Sequence, residues 1–401
     1  MATVLRNLTY QGVPIWRNVH IIQWASQIVS GVLVVVLVTW FFINISNAIQ
    51  DRDIPYGFSF LSREYQTPIG QHFLDYESSD TFLYAFVVAA TNTIVVSVVG
   101  VILATALGIF VGVCRMSGNW LVAKAALVYI EFFRNVPLLV HLFFWFYIVL
   151  ALPPVREGHV IAQRLYINNA GLSLPWPSPS NLGGAATWGL MALVAIITGW
   201  AVHRRLSRRE MNTGVASYPL AMGCAATVVI GALAWLALSA TGGGPPFVIS
   251  RPEPLGTFGR ISGGLTASGG LVALLVGLVT YTSSFIAEIV RAGVQSVGGG
   301  QTEASRALGL SATSTLRNVT LPQALRVIVP PLISQCLNLT KNSSLAGAIG
   351  YSDLTNVAKT MTQTAPAVSI FILIMAAYLA MSLTYSLIGN LYNRHIRFTG
   401  S

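Results

Sequence analysis

Charge is scarce in this sequence: 13 acidic and 23 basic residues make up only 9% of 401, where a soluble domain carries about 25%. Cysteine is rarer still. Cys114, Cys224 and Cys336 lie far apart in apolar surroundings, without the close C-x-x-C pairing of metal or redox sites, so neither a disulfide framework nor a metal site is expected. The three lysines, Lys124, Lys341 and Lys359, follow Ala123, Thr340 and Ala358. A Walker A loop needs glycine immediately before its lysine, so backbone N–H groups can surround the phosphates, and none is present. The six histidines, at 20, 72, 141, 159, 203 and 395, are scattered, which leaves no paired His/Asp constellation for catalysis. These absences exclude most soluble enzymes, and the sequence predicts no catalytic residue and no cofactor of its own.

What the chain has is apolar length. Hydrophobic residues make up 54% of it, and eight stretches approach the roughly 20 residues that cross a hydrocarbon core about 30 Å thick. They lie near 21–46, 81–113, 121–150, 186–202, 218–240, 269–290, 326–350 and 367–390, and predict an all-α polytopic membrane protein of about eight transmembrane helices. The first is longer than a signal-peptide core and lacks a small-residue cleavage site, so it is expected to be retained.

Cytoplasmic loops are enriched in Lys and Arg. If the spans alternate, fourteen basic residues, including Arg6, Arg17, Arg115, Arg204, Arg205, Arg208 and Arg209, fall on one side and seven on the other. Both termini are then expected in the cytoplasm. The acidic loop before Asp80 suits the outer face. The formal charge of +10 is accounted for by topology and attraction to anionic membrane lipid, without nucleic acid.

Composition divides the chain into a tail, first helix and acidic loop (1–80), an apolar part (81–152), a Pro/Gly-rich hairpin insertion (153–268), a second apolar part (269–393) with an inner loop at 298–322, and a tail (394–401). The insertion contains Pro153-Pro154, Pro175-Trp176-Pro177 and Gly242-Gly243-Gly244-Pro245-Pro246. The inner loop is the most specific feature. Residues 301–308 have helical propensity, Gly309 stands where a left-handed residue stops a helix, Ser311 caps another short one, and Pro322 fits the first turn of the next span. The result is a short helix tied to two membrane helices, the form a cytosolic motor would grip.

Glu303-Ala304-Ser305, then Gly309, Val319 and Leu321-Pro322, resemble the EAA loop of permease subunits in binding-protein-dependent ABC importers, with Ser and Val for the usual Ala and Ile. Tyr129-Ile130-Glu131-Phe132-Phe133-Arg134-Asn135-Val136-Pro137, Glu288 to Arg291, Leu321 to Pro331 and Lys341 to Leu345 resemble the polar amino acid (histidine/glutamine permease) subfamily. Asn168-Asn169-Ala170-Gly171 and the insertion are similar to permeases of general L-amino acid transporters. The resemblance covers about 82–150 and 266–393. It implies a type I importer core of five helices, plus the N-terminal helix and inserted hairpin, and an ATP-driven permease moving L-amino acids inward. It also implies a dimer of ABC ATPase subunits that binds ATP and Mg, a second, non-identical permease, and a periplasmic amino-acid-binding protein. Glu303, Ala304, Ser305, Arg306, Leu308, Gly309, Leu321 and Pro322 would couple to the ATPase. An ion-coupled secondary transporter is the alternative.

Ionisable side chains at bilayer depth need a partner or a wet cavity. Glu131 and Arg134, three apart on one helix face, are read as a mutual ion pair or, with Asn135, as lining of the substrate path. Pro137 bends that span. Asn338, Lys341, Asn342 and Ser343 are the second path candidates, with Lys341 either snorkelling outward or meeting a substrate carboxylate. Glu288 and Arg291 are read as a brace or inner gate. His141 is read as a hydrogen-bonded core histidine, and Asn92 as interhelical glue.

Overall fold

The computed structural model describes residues 9–10, 13–14, 18–155, 157–161, 164–241, 244–255 and 260–396. Arg6, Arg17, Arg156, Gly242-Gly243 and the end of the C-terminal tail from 397 lie outside them. The fold is mostly helical. Helix α1 (Val19–Asp51) starts at Asn18, whose side chain accepts from the amides of His20 and Ile21, and it has no buried residue. A helix apolar all round with no buried face suits a lipid environment. The segment after it packs Phe60, Tyr65 and Ile69 against α2 (Phe82–Arg115).

The expected third span is broken. Helices α3 (Trp120–Asn135) and α4 (Leu138–Leu150) are bent by 106°. Val136 is extended (φ −99°, ψ 134°), the conformation imposed on a residue before proline, and Pro137 caps α4 without needing the amide it lacks. Among the described residues, six helices are long and apolar enough to cross a membrane, seven if α3 and α4 count as one span. The seventh expected span, near 326–350, corresponds to α10 (Leu321–Asn342), which is more polar, carries Pro330 and Pro331 inside it and is not among those helices.

The segment expected as an insertion contains a helical hairpin, α5 (Leu182–Thr213) and α6 (Pro219–Thr241). Its flanking loops, expected only as Pro/Gly-rich connections, also pair as antiparallel strands. These are β1 (His159–Ile161), β2 (Leu165–Asn168), β3 (Gly171–Leu174), β4 (Trp176–Pro179), β5 (Phe247–Ser250), β6 (Glu253–Leu255), β7 (Arg260–Ser262) and β8 (Leu265–Ser268). Four form a sheet in the order β8-β3-β2-β1, while β4 pairs with β5 and β6 with β7. Residues far apart in sequence, such as Leu174 and Leu265, thus close the base of the hairpin.

Helix α7 (Gly269–Gln295) is central: α2, α4 and α10 all pack on it. In lipid, packing rather than water exclusion draws helices together, and small residues permit close approach. Gly100, Ala104, Gly108 and Gly112 recur every fourth residue along α2. A Cβ at 108 would lie 2.6 Å from Ile286 Cβ, and one at 112 would lie 2.8 Å from the Ala287 carbonyl oxygen. Around this crossing Leu142, Leu274, Leu278 and Leu339 are fully buried.

Polar contacts join α2 to neighbouring connections. Asn92, fully buried in α2, donates to the carbonyls of Gln71 and Ser352 at 2.8 Å each and accepts from the Phe73 amide. It ties α2 to two connecting segments. Asp353 caps the short helix α11 (Leu354–Met361), accepting from the amides of Thr355 and Asn356. Leu354, Val357, Ala358 and Met361 bury one face of α11, and α12 (Ala367–Ile396) follows.

Replacing Gly108 by Leu forces α2 and α7 apart, an overpacking cost of about 1–3 kcal/mol, and thermal unfolding of the purified protein should show a lowered midpoint. Burial pushes the Asp353 carboxyl up to about 6 from its ordinary 3.8, although the capping amides pull it down. Because the folded value is the higher one, the contribution of Asp353 to stability is full below about pH 4 and is lost as pH rises through about 6. In Asp353→Asn, which can still cap, unfolding midpoints measured across that window should lose this part of their pH dependence.

Candidate functional site: an exposed loop between two membrane helices

The loop between α7 and α10 folds as α8 (Gly299–Ala307), then α9 (Ala312–Thr315) and a π-helical turn, Leu316–Thr320, that runs directly into α10. Gly309 has φ +76° and nothing within 4 Å of where a Cβ would stand. Its requirement is conformational rather than steric. Its amide bonds to the Arg306 carbonyl at 2.9 Å, and the Leu310 amide to the Ser305 carbonyl at 3.1 Å. Those two bonds form a complete Schellman motif, closing carbonyls that the end of α8 would leave unpaired. Ser311 then caps α9 by accepting from the Ser314 amide.

Ser305 is buried, and its hydroxyl donates to the Gln301 carbonyl at 2.7 Å, so the polar side chain is satisfied within its own helix. Glu303, Ala304, Arg306 and Gly309 are exposed, and Leu308 is 82% exposed. Leu316 and Leu321 are further exposed apolar residues in the loop. The predicted coupling residues thus divide: Ser305 is buried, and the others are exposed, with Leu321 and Pro322 at the start of α10 (Leu321–Asn342).

The loop is held to the membrane helices. Gly293 of α7 lets Ile328 of α10 approach so closely that a Cβ there would lie 2.2 Å from Ile328 Cγ1. Gln323 of α10 reaches Gln301 of α8 at 3.4 Å. Pro322 lies at the second residue of α10. Just before it, the Leu321 amide bonds back five residues to the Leu316 carbonyl, widening the ladder where proline removes a donor. Nearer the bilayer, Arg291 grips Glu288 through two hydrogen bonds, one of them Nε to Oε2 at 2.9 Å, and also reaches Gln295. This ion pair stays within α7.

The other candidates are less connected. The expected ion pair between Glu131 and Arg134 is not formed. Glu131 instead accepts from Asn135 Nδ2 at 3.0 Å, and the Arg134 guanidinium lies 5.4 Å from the Phe285 ring centroid. A turn of helix brings residue 135 back over 131, and the aromatic face offers the cation a second partner. Asn338 and Lys341 are exposed on α10, whereas Ser343 is fully buried and donates to the Thr340 carbonyl at 2.7 Å. No hydrogen bond among the described residues joins the 131–135 group to the 338–343 group. His141 is buried but not hydrogen-bonded: Phe132, Phe133 and Tyr281 surround its ring. Asp353 escaped the sequence reading, although an acid followed by apolar residues at 354, 357, 358 and 361 is a helix-start signal.

The loop geometry agrees with the family comparison. The family described as binding-protein-dependent transport system inner membrane component matches residues 104–398. The chain belongs to that family. It is 39% identical over 396 residues to YhdX of Escherichia coli (strain K12), covering 98% of each chain. It is 38% identical over 369 residues to the general L-amino acid transport system permease protein AapQ of Rhizobium johnstonii, covering 92% of this chain and 90% of that one. BztB of Rhodobacter capsulatus, a glutamate/glutamine/aspartate/asparagine transport system permease protein, is 35% identical and covered to 92%, as is this chain. As an inner membrane transport component, the chain has a tightly stopped, solvent-exposed helix between two of its membrane helices.

Gly309→Val places a β-branched residue at positive φ, a true outlier. The Schellman bonds should open, and hydrogen exchange at Gly309 and Leu310 should quicken about tenfold or more, as 1–2 kcal/mol of strain implies, with α7 unchanged.

Proposed function

We propose that this chain is the permease subunit of an ATP-driven, binding-protein-dependent importer that carries L-amino acids from periplasm to cytoplasm. The observation that carries this reading is the exposed helix α8, closed by Gly309 and tied to α7 and α10. The names of AapQ and BztB support amino acids as the substrate class. In this reading α8 docks on a separate ABC ATPase dimer, presenting Glu303, Arg306 and Leu308. A second, non-identical permease subunit pairs with this one, and a periplasmic binding protein delivers substrate. ATP and Mg belong to the ATPase, since no lysine here follows glycine. Provided α3 and α4 together cross once, the basic-residue count puts both termini in the cytoplasm.

ATP binding draws the ATPase subunits together, and α8, pinned at both ends, transmits that movement to α7 and α10. Substrate bound equally well in both orientations cannot drive the switch, so the energy comes from the differential affinity of the ATPase states. We assign Glu131, Arg134 and Asn135, with Asn338, Lys341 and Asn342, to the translocation path. Ser343 supports that end of α10 from within. The Glu288–Arg291 pair braces α7 near its inner end. Helix α1 and the α5–α6 hairpin are additions to a five-helix core.

Uptake of radiolabelled amino acids into proteoliposomes containing the whole complex and its binding protein tests this. Uptake should require ATP, and Leu308→Asp, a change at an exposed position, should reduce it about tenfold or more, as loss of an apolar contact of 1.5–3 kcal/mol predicts, without dissociating the membrane subunits. Uptake driven by an ion gradient without ATP would overturn the proposal.

A further inference from the structure

We infer that the α5–α6 hairpin holds an anionic phospholipid, with an acyl chain in the groove between its helices and the phosphate at the arginines ending α5. The inference requires only that the hairpin cross the bilayer. Gly199 and Gly223 bring the helices together: a Cβ at 199 would lie 2.6 Å from the Gly223 carbonyl oxygen. Beside this contact lies a groove of about 340 Å³, lined by Trp200, His203, Cys224 and Val228 among others. It meets a second groove of about 370 Å³ at Thr227 and Val228, which continues to Trp188 and Trp235. From residue 188 to 203 is about 22 Å along a helix, more than the roughly 15 Å depth of one leaflet, so an acyl chain can lie in it at full length.

Charge identifies the occupant. Residues 182–241 contain four arginines, Arg204, Arg205, Arg208 and Arg209, and a single acid, Glu210. All four arginines are exposed, and on a helix they fall within about 140° of one another. Trp200, Arg204 and Arg208 follow at intervals of four from the groove towards the end of α5, and the Arg204 guanidinium lies 5.1 Å from the Trp200 ring centroid. His203 lines the same end of the groove, and its buried Nδ1 has no hydrogen-bond partner among the described residues. An apolar channel that ends in clustered guanidinium groups complements a molecule with an apolar tail and an anionic head. Arginine forks match phosphate oxygens, and basic residues near a membrane surface attract anionic lipid.

The test is native mass spectrometry of the whole complex extracted from vesicles of equal phosphatidylcholine and phosphatidylglycerol. Wild type should retain phosphatidylglycerol selectively. Arg204→Gln with Arg208→Gln should weaken retention about tenfold or more, and raised salt should weaken it too. Val228→Trp, a change at a position 67% exposed, should fill the groove and reduce retention while leaving the hairpin folded. Equal retention of both lipids, undiminished retention in the variants, or cross-linking of Cys224 to another subunit across the groove would overturn the inference.

Discussion

Ile286 and Ala287 occupy space that Cβ atoms at positions 108 and 112 would claim. Helices gain little from leaving lipid for one another unless their backbones come close enough for extensive van der Waals contact. The four-residue spacing of Gly100, Ala104, Gly108 and Gly112 provides that closeness along α2, and α7 becomes a central post for α4 and α10 as well. The loop that carries α8 hangs from that post. The same device recurs at Gly293 against Ile328, just before the loop that carries α8 begins.

The loop itself is stiff for a different reason. Its short helix ends in a Schellman motif that depends on one residue with positive φ, and the next helix runs without interruption through a π turn into α10. Backbone hydrogen bonds therefore close the end of α8, and no flexible linker separates α9 from α10. The buried Ser305 hydroxyl, paired within its own turn, does not disturb this. Leu308, Glu303 and Arg306 remain exposed on its surface.

The hairpin obeys a separate logic. Helices α5 and α6 pack mainly on each other, through Gly199 and Gly223, and strands close their base. Most of their remaining surface is apolar and exposed, from Leu190 and Val194 to Val228 and Leu236, as expected where lipid is the solvent. The arginines at the far end of α5 mark where that environment gives way to water and headgroups.

Apolar length, basic-residue asymmetry and the spacing from Glu303 to Pro322 are local properties, and they were sufficient by themselves to determine a polytopic membrane chain, its family and the helix that stops at Gly309. Each depends on residues within a few turns of one another, or on bulk transfer into lipid. Tertiary structure decided the rest. Glu131 had two partners within reach on its own helix, and its hydrogen bond goes to Asn135 while Arg134 lies against Phe285, a residue about 150 positions away. Pro137 announced a bend, but the 106° angle is realised only as α4 packs on α7. Strands in the insertion pair Leu174 with Leu265 across the whole hairpin, a long-range register that short Pro/Gly-rich segments do not encode locally. Which polar side chains face one another is set by how helices cross, and those crossings depend on contacts between residues distant in the chain.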